Sequence, residues 1–160
     1  MIHEGAHLYF GVSVRAPSPS WYNEGMATFF EGFQWDGQKL SLNNLARYRF
    51  SFLQSSMRRD DFLPLTELLG GDAHGSINKG AREAGLFYAE AWGFYYFMNK
   101  TTDEDLKTKW AAWVDKIKAR SLGWDSMQGT KAVEAFQEIF GDVGALQEKW
   151  KAFILDLRAP

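Results

Sequence analysis

His3, Glu4 and His7 stand in the pattern H-E-x-x-H within Met1-Ile2-His3-Glu4-Gly5-Ala6-His7. On a helix the i, i+4 spacing brings His3 and His7 to one face, where two imidazoles can bind a single zinc ion and Glu4 flanks the open coordination position. Zinc held by three protein ligands keeps a fourth position for water and lowers that water's pKa to about 7, so that a neighbouring carboxylate can take its proton. The residue types therefore point to hydrolysis, with Glu4 as general base. They also require a third protein ligand.

Glu24, seventeen residues after His7, is the best candidate for that ligand. It lies in Trp21-Tyr22-Asn23-Glu24-Gly25-Met26-Ala27-Thr28-Phe29-Phe30-Glu31. Ser20, preceded by Pro17-Ser18-Pro19, can cap a helix starting at Trp21, which sets Glu24 in the opening turns facing back toward the first helix. Thr28, one turn on, is suited to orient a ligand histidine, or equally to pack between helices. Glu31 falls on nearly the same face two turns beyond Glu24, too far to ligate the same ion. It reads first as an ordinary exposed glutamate, with a place behind the ligands, within reach of the site, as the alternative.

The Trp21–Ala27 segment resembles the third-ligand motif of the aminopeptidase branch of the gluzincins, the thermolysin-like zinc peptidases. The whole chain is similar to an uncharacterised, peptidase-MA-like family found mainly in bacteria. The resemblance implies zinc ligands at His3, His7 and Glu24 and a general base at Glu4. It further implies a sheet ahead of the first helix, whose edge strand would bind the substrate backbone. The expectation is thus an N-terminally truncated protein in which Met1 is an internal methionine, and a first helix prone to fray at His3. Phe87-Tyr88-Ala89-Glu90-Ala91-Trp92-Gly93 resembles, in part, the Y-E-K-G helix of the same branch, although Ala89-Glu90-Ala91 replaces E-K-G. By that resemblance Tyr88 donates a hydrogen bond to the tetrahedral intermediate; a tyrosine buried in the core fits the same position. His74 invites a role in oxyanion stabilisation on the same grounds, and a merely exposed histidine fits it as well.

The remaining elements must hold these groups. The first helix is predicted through Phe10, ending at Gly11, and the second from Trp21 to near Gly32. The Asp36-Gly37 pair within Phe33–Leu40 signals a small hairpin. Ser41 or Asn43 can cap a third helix with an apolar stripe of Leu45, Tyr48, Phe52 and Leu53, leaving Arg47, Arg49, Arg58 and Arg59 as a solvated surface. A short helical turn is predicted over Pro64–Leu69, followed by a loop over Gly70–Ser76. Ala81–Asn99, apolar on most faces, marks a central buried helix. Three more helices follow, with stripes of Leu106, Trp110, Trp113, Val114 and Ile117, then Val133, Phe136, Ile139 and Phe140, then Leu146, Trp150, Phe153, Ile154 and Leu157. The predicted fold is one mainly α domain over residues 1–160: a helical bundle with one small β-hairpin, equivalent to the catalytic helices and C-terminal helical part of a gluzincin.

Composition narrows the function classes. With 46% hydrophobic residues in 160, the chain suits one domain with a sizeable core. Its 20 acidic and 18 basic residues are interleaved, giving a net charge of -2, so no basic stripe argues for nucleic acid or an anionic membrane. Absence of cysteine excludes disulfides and thiolate catalysis. No apolar run is long enough to span a membrane, and the family resemblance leans toward an exported protein. The function expected is zinc-dependent hydrolysis of a peptide or protein substrate. The alternatives are a non-catalytic helical module that binds peptides or a partner in the groove beside Glu4, and a zinc hydrolase of a non-peptide bond.

Overall fold

The computed structural model describes residues 2–41 and 45–158. In chain order the elements are α1 (Ile2–Ser13), α2 (Ser20–Phe29), a 3-10 turn (Phe30–Gly32), β1 (Gln34–Trp35), β2 (Leu40–Ser41), α3 (Arg47–Arg58), α4 (Leu65–Gly70) and α5 (Ala73–Lys79). They continue with α6 (Ala81–Lys100), α7 (Glu104–Lys118), a 3-10 turn (Trp124–Met127), α8 (Gly129–Phe140) and α9 (Val143–Asp156). The architecture is mainly α with one antiparallel hairpin, as the sequence implies.

α6 is the axis of the molecule. Leu86, Phe87, Ala89, Trp92, Phe94, Phe97 and Met98 are all buried on it, and α2, α3, α5, α7 and α9 pack around it. One continuous core joins Trp21 of α2 to Phe94, Trp113 and Phe136, with ring centroids 5.3, 6.2 and 5.8 Å apart. Trp21, Trp92, Trp110, Trp113 and Trp150 are buried and fill gaps between helices, whereas Trp35 lies exposed on the hairpin. Such aromatic packing anchors α2, and so Glu24, firmly on α6. By contrast, none of the described residues of α1 is buried; it rests against α2 and the first 3-10 turn.

The hairpin forms at the expected Asp-Gly pair. Gly37 takes φ +100, a conformation that favours glycine, and Asp36 Oδ1 accepts the N–H groups of Gln38 and Lys39 at 2.9 and 2.8 Å. α7 is capped by Asp103, whose side chain accepts from the N–H groups of Asp105 and Leu106, and α8 stops at Gly141, φ +79.

Several boundaries differ. α1 passes through Gly11 to Ser13, because a lone glycine in an exposed helix costs only about 1 kcal/mol; the chain turns out of the helix near Arg15, φ 51. Ser20 is the first residue of α2 and not its cap: Pro19 holds the cap position, and Ser20 Oγ instead accepts the Ala73 N–H at 3.0 Å. α3 begins only at Arg47, after Ala46 and with no side-chain cap, so Ser41, in β2, does not cap it; Asn43 lies outside the described residues. The buried face of α3 is Phe50, Leu53, Ser56 and Met57, and Tyr48 is exposed. The predicted Gly70–Ser76 loop contains the start of α5, because Asp72, which reads as a turn residue, is an N-cap whose Oδ1 accepts the Gly75 N–H at 2.7 Å.

Candidate metal centre

One turn of α1 separates His3 from His7, and their rings meet edge to face with centroids 4.7 Å apart. The two Nε2 atoms are 3.1 Å apart. Glu24 reaches the same point from α2: its Oε2 lies 3.3 Å from His3 Nε2 and 3.4 Å from His7 Nε2. Among the described residues, this is the one group of three or more His, Cys, Asp or Glu side chains with donor atoms close enough to share an ion.

α2 can present Glu24 this closely because of the residue beside it. A Cβ on Gly25 would stand 2.6 Å from Ala91 O and 2.8 Å from Tyr95 Cβ, so only glycine lets α2 approach α6 here.

The three donor atoms fit a small tetrahedral cation. Ligands about 2.0–2.1 Å from zinc in tetrahedral array stand about 3.3–3.4 Å from one another, close to the three separations observed. Protons alone satisfy the cluster poorly. Glu24 Oε2 is buried and has no hydrogen-bond partner, although two imidazole nitrogens face it. A carboxylate oxygen and two imidazole nitrogens converging in this way suit a shared Lewis acid, and the N/O donor set suits zinc.

Behind the donor cluster lies a layer of which the sequence offered Glu31 only as the lesser alternative and Arg49 not at all. His3 Nδ1 is 2.9 Å from Glu31 Oε1, and Arg49 holds Glu31 in a fork, Nε to Oε2 at 2.6 Å and Nη2 to Oε1 at 2.8 Å. Burial alone would raise the Glu31 pKa, but the hydrogen bonds and charge of Arg49, helped by His3, bring it below the ordinary glutamate value. Glu31 is therefore not an isolated exposed glutamate, and Arg49, with its side chain only 18% exposed, does not belong to a solvated surface. Thr28 does not orient a histidine: its hydroxyl donates to the backbone oxygens of Glu24 and Gly25 within α2. A carboxylate seven residues beyond Glu24 was the only signal for Glu31, and no sequence signal linked Arg49 to the site.

Glu4 is exposed and lines an open cleft of about 470 Å³ together with His7, Ser20, Asn23, Glu24 and Gln128. Tyr88 on α6 borders the other histidine, its ring centroid 6.2 Å from that of His3. Burial, with the nearby charge of Glu24, raises the Tyr88 pKa, so the phenol stays protonated and able to donate. His74 is exposed on α5. It is not part of the donor cluster, although its neighbour Ala73 is bonded to Ser20 at the cleft rim.

Among the described residues no helix is long and apolar enough to cross a membrane. Comparison with curated proteins and with solved structures returned no match. Residues 1–117, which include every residue of the donor cluster together with Glu4, Glu31, Arg49 and Tyr88, match the family described as protein of unknown function (DUF1570), and the chain belongs to that family.

Proposed function

We propose that this protein is a zinc-dependent hydrolase of peptide bonds with a gluzincin-type site. The observation that carries the reading is the triangle of His3 Nε2, His7 Nε2 and Glu24 Oε2, with sides of 3.1 to 3.4 Å, opening on a cleft lined by Glu4. His3, His7 and Glu24 would hold the ion, which when bound supplies Lewis acidity that polarises a carbonyl and acidifies water.

The chain's own residues account for the proton movements. Glu4 accepts a proton from the attacking water as the water oxygen bonds to the carbonyl carbon. The carbonyl oxygen gains negative charge, and the protonated Tyr88 phenol donates a hydrogen bond to it. As the carbon–nitrogen bond breaks, Glu4 returns its proton to the departing nitrogen, so one water is consumed and a carboxylic acid and an amine are released. The resemblance to the aminopeptidase branch, in the Trp21–Ala27 segment and in part around Tyr88, supports peptide over other substrates.

The test joins metal and turnover. Zinc titration against a competing chelator should give one equivalent in the wild type and none in His7→Ala, and a mixed peptide library should be cleaved by the zinc-loaded protein. Glu4→Gln should keep the zinc and lose the cleavage. Cleavage persisting in Glu4→Gln would overturn the mechanism, and a wild type that takes up no zinc would overturn the metal reading itself.

A further inference from the structure

His3 has one proton to place when its ring is neutral, and the nitrogen that carries it decides whether the other can bind a cation. Glu31, ionised and able only to accept, takes the Nδ1 side at 2.9 Å. We propose that Glu31 and Arg49 form a clamp that locks His3 as the Nδ1–H tautomer, keeping its Nε2 lone pair aimed at His7 and Glu24, and that Arg49 is the positioning residue for both His3 and Tyr88. The consequence for metal binding rests on the zinc reading above.

Without the clamp the cluster has a way to collapse. His3 could carry its proton on Nε2 and donate it to Glu24 Oε2, 3.3 Å away. That bond would satisfy the orphaned Glu24 oxygen and close the triangle against a cation. Glu31 removes this option by holding the proton on the opposite nitrogen.

Glu31 can do so only if it stays in place as an acceptor, and the two N–H groups that Arg49 donates to its two oxygens secure this. Arg49 occupies Oε2 alone and shares Oε1 with His3, which leaves the carboxylate little freedom to rotate. Bidentate pairing of this kind is available to a guanidinium and not to an ammonium. The same guanidinium lies 5.5 Å from the centre of the Tyr88 ring, within cation–π range. One side chain of α3 thus braces the carboxylate behind a ligand on α1 and the phenol beside it on α6.

The experiment compares wild type with Glu31→Leu, Arg49→Met, Arg49→Lys and the Glu31→Leu/Arg49→Met double variant. Two quantities are read: imidazole ¹⁵N shifts in the zinc-free proteins, and zinc affinity by chelator competition. Zinc-free wild type should show His3 protonated at Nδ1, and Glu31→Leu should move the proton to Nε2. Zinc affinity should fall about 10- to 100-fold in Glu31→Leu, as for other partners of metal-bound histidines. Arg49→Met should fall in the same direction, Arg49→Lys should recover only part, and the double variant should be no worse than Glu31→Leu. Glu31→Gln, with its similar shape, replaces Glu31→Leu if circular dichroism shows the latter unfolded; it should weaken zinc in the same sense.

His3 protonated at Nε2 in wild type would overturn the clamp, as would zinc affinities within twofold across all variants or single effects that simply add. A wild type that binds no zinc defeats the metal reading alone, because the tautomer measured without metal still decides the clamp.

Discussion

Gly25 lies directly against the backbone of Ala91, so close that a Cβ at this position would meet Ala91 O at 2.6 Å. This contact seats α2 on α6 at the residue next to Glu24, which makes a packing glycine a determinant of the geometry of the proposed metal site. Gly25→Ala must push the helices apart, at a cost of about 1–3 kcal/mol typical of overpacking. Urea denaturation should report that loss, and zinc affinity should fall alongside it because Glu24 moves with α2. Unchanged stability and zinc affinity would show that α2 relaxes without moving Glu24.

Direct ligation and support from behind are separable by degree. Glu24→Ala removes a donor atom itself, so its zinc affinity should drop by more than the roughly 10- to 100-fold expected of an outer partner such as Glu31. Chelator competition on both variants ranks them. The reverse order would mean that Glu24 is not a ligand.

Tyr88→Phe keeps the ring beneath Arg49 and deletes only the hydroxyl. If the phenol stabilises the oxyanion, kcat should fall about 100- to 1000-fold with KM little altered, and zinc affinity should stay within twofold. A loss confined to zinc binding would assign Tyr88 to packing instead.

Glu90 makes stability depend on pH across the neutral range. It is fully buried, its Oε1 accepts the Leu63 N–H at 2.8 Å, and its Oε2 has no partner. Burial, opposed by the Leu63 hydrogen bond and aided by Glu67 and Asp61, raises its pKa from the ordinary 4.5 to about 8. The folded protein therefore holds a proton that the unfolded chain releases. The Glu90 contribution to stability is fullest below pH about 4.5 and is lost as pH rises through about 8. Glu90→Gln keeps an acceptor for Leu63 and cannot titrate, so it should gain on wild type steadily from pH 5 to pH 8. Melting curves at pH 5, 7 and 9 test this, and parallel behaviour of the two proteins would rule it out.

Much of the candidate site was legible because it depends on one helical period. His3 and His7 share a face of α1 by spacing alone, and Glu24 follows from a motif inside a strongly apolar helix whose neighbours, Trp21 and Phe29, had to be buried. The central position of α6 was readable for the same reason: a helix apolar on most faces has nowhere else to go. The Asp36-Gly37 hairpin is likewise local, set by a backbone conformation that glycine favours.

The pairing of Glu31 with His3 and Arg49 was not legible, although a carboxylate within reach was, and the reason is geometric. Glu31 lies past the end of α2, in the 3-10 turn, and is not part of the donor cluster that Glu24 joins. Reach to a neighbouring helix is another matter, and α1 packs across both α2 and the 3-10 turn that contains Glu31, so His3 meets both carboxylates. Arg49 arrives from α3, beyond the hairpin, and no spacing in the chain encodes that meeting. The sequence by itself determined the donor types, the register of the two histidines and the burial of the helix bearing Glu24. Tertiary packing alone decided which carboxylate stands behind His3, because hydrogen-bond partners between helices depend on crossing geometry, and only the folded chain specifies that.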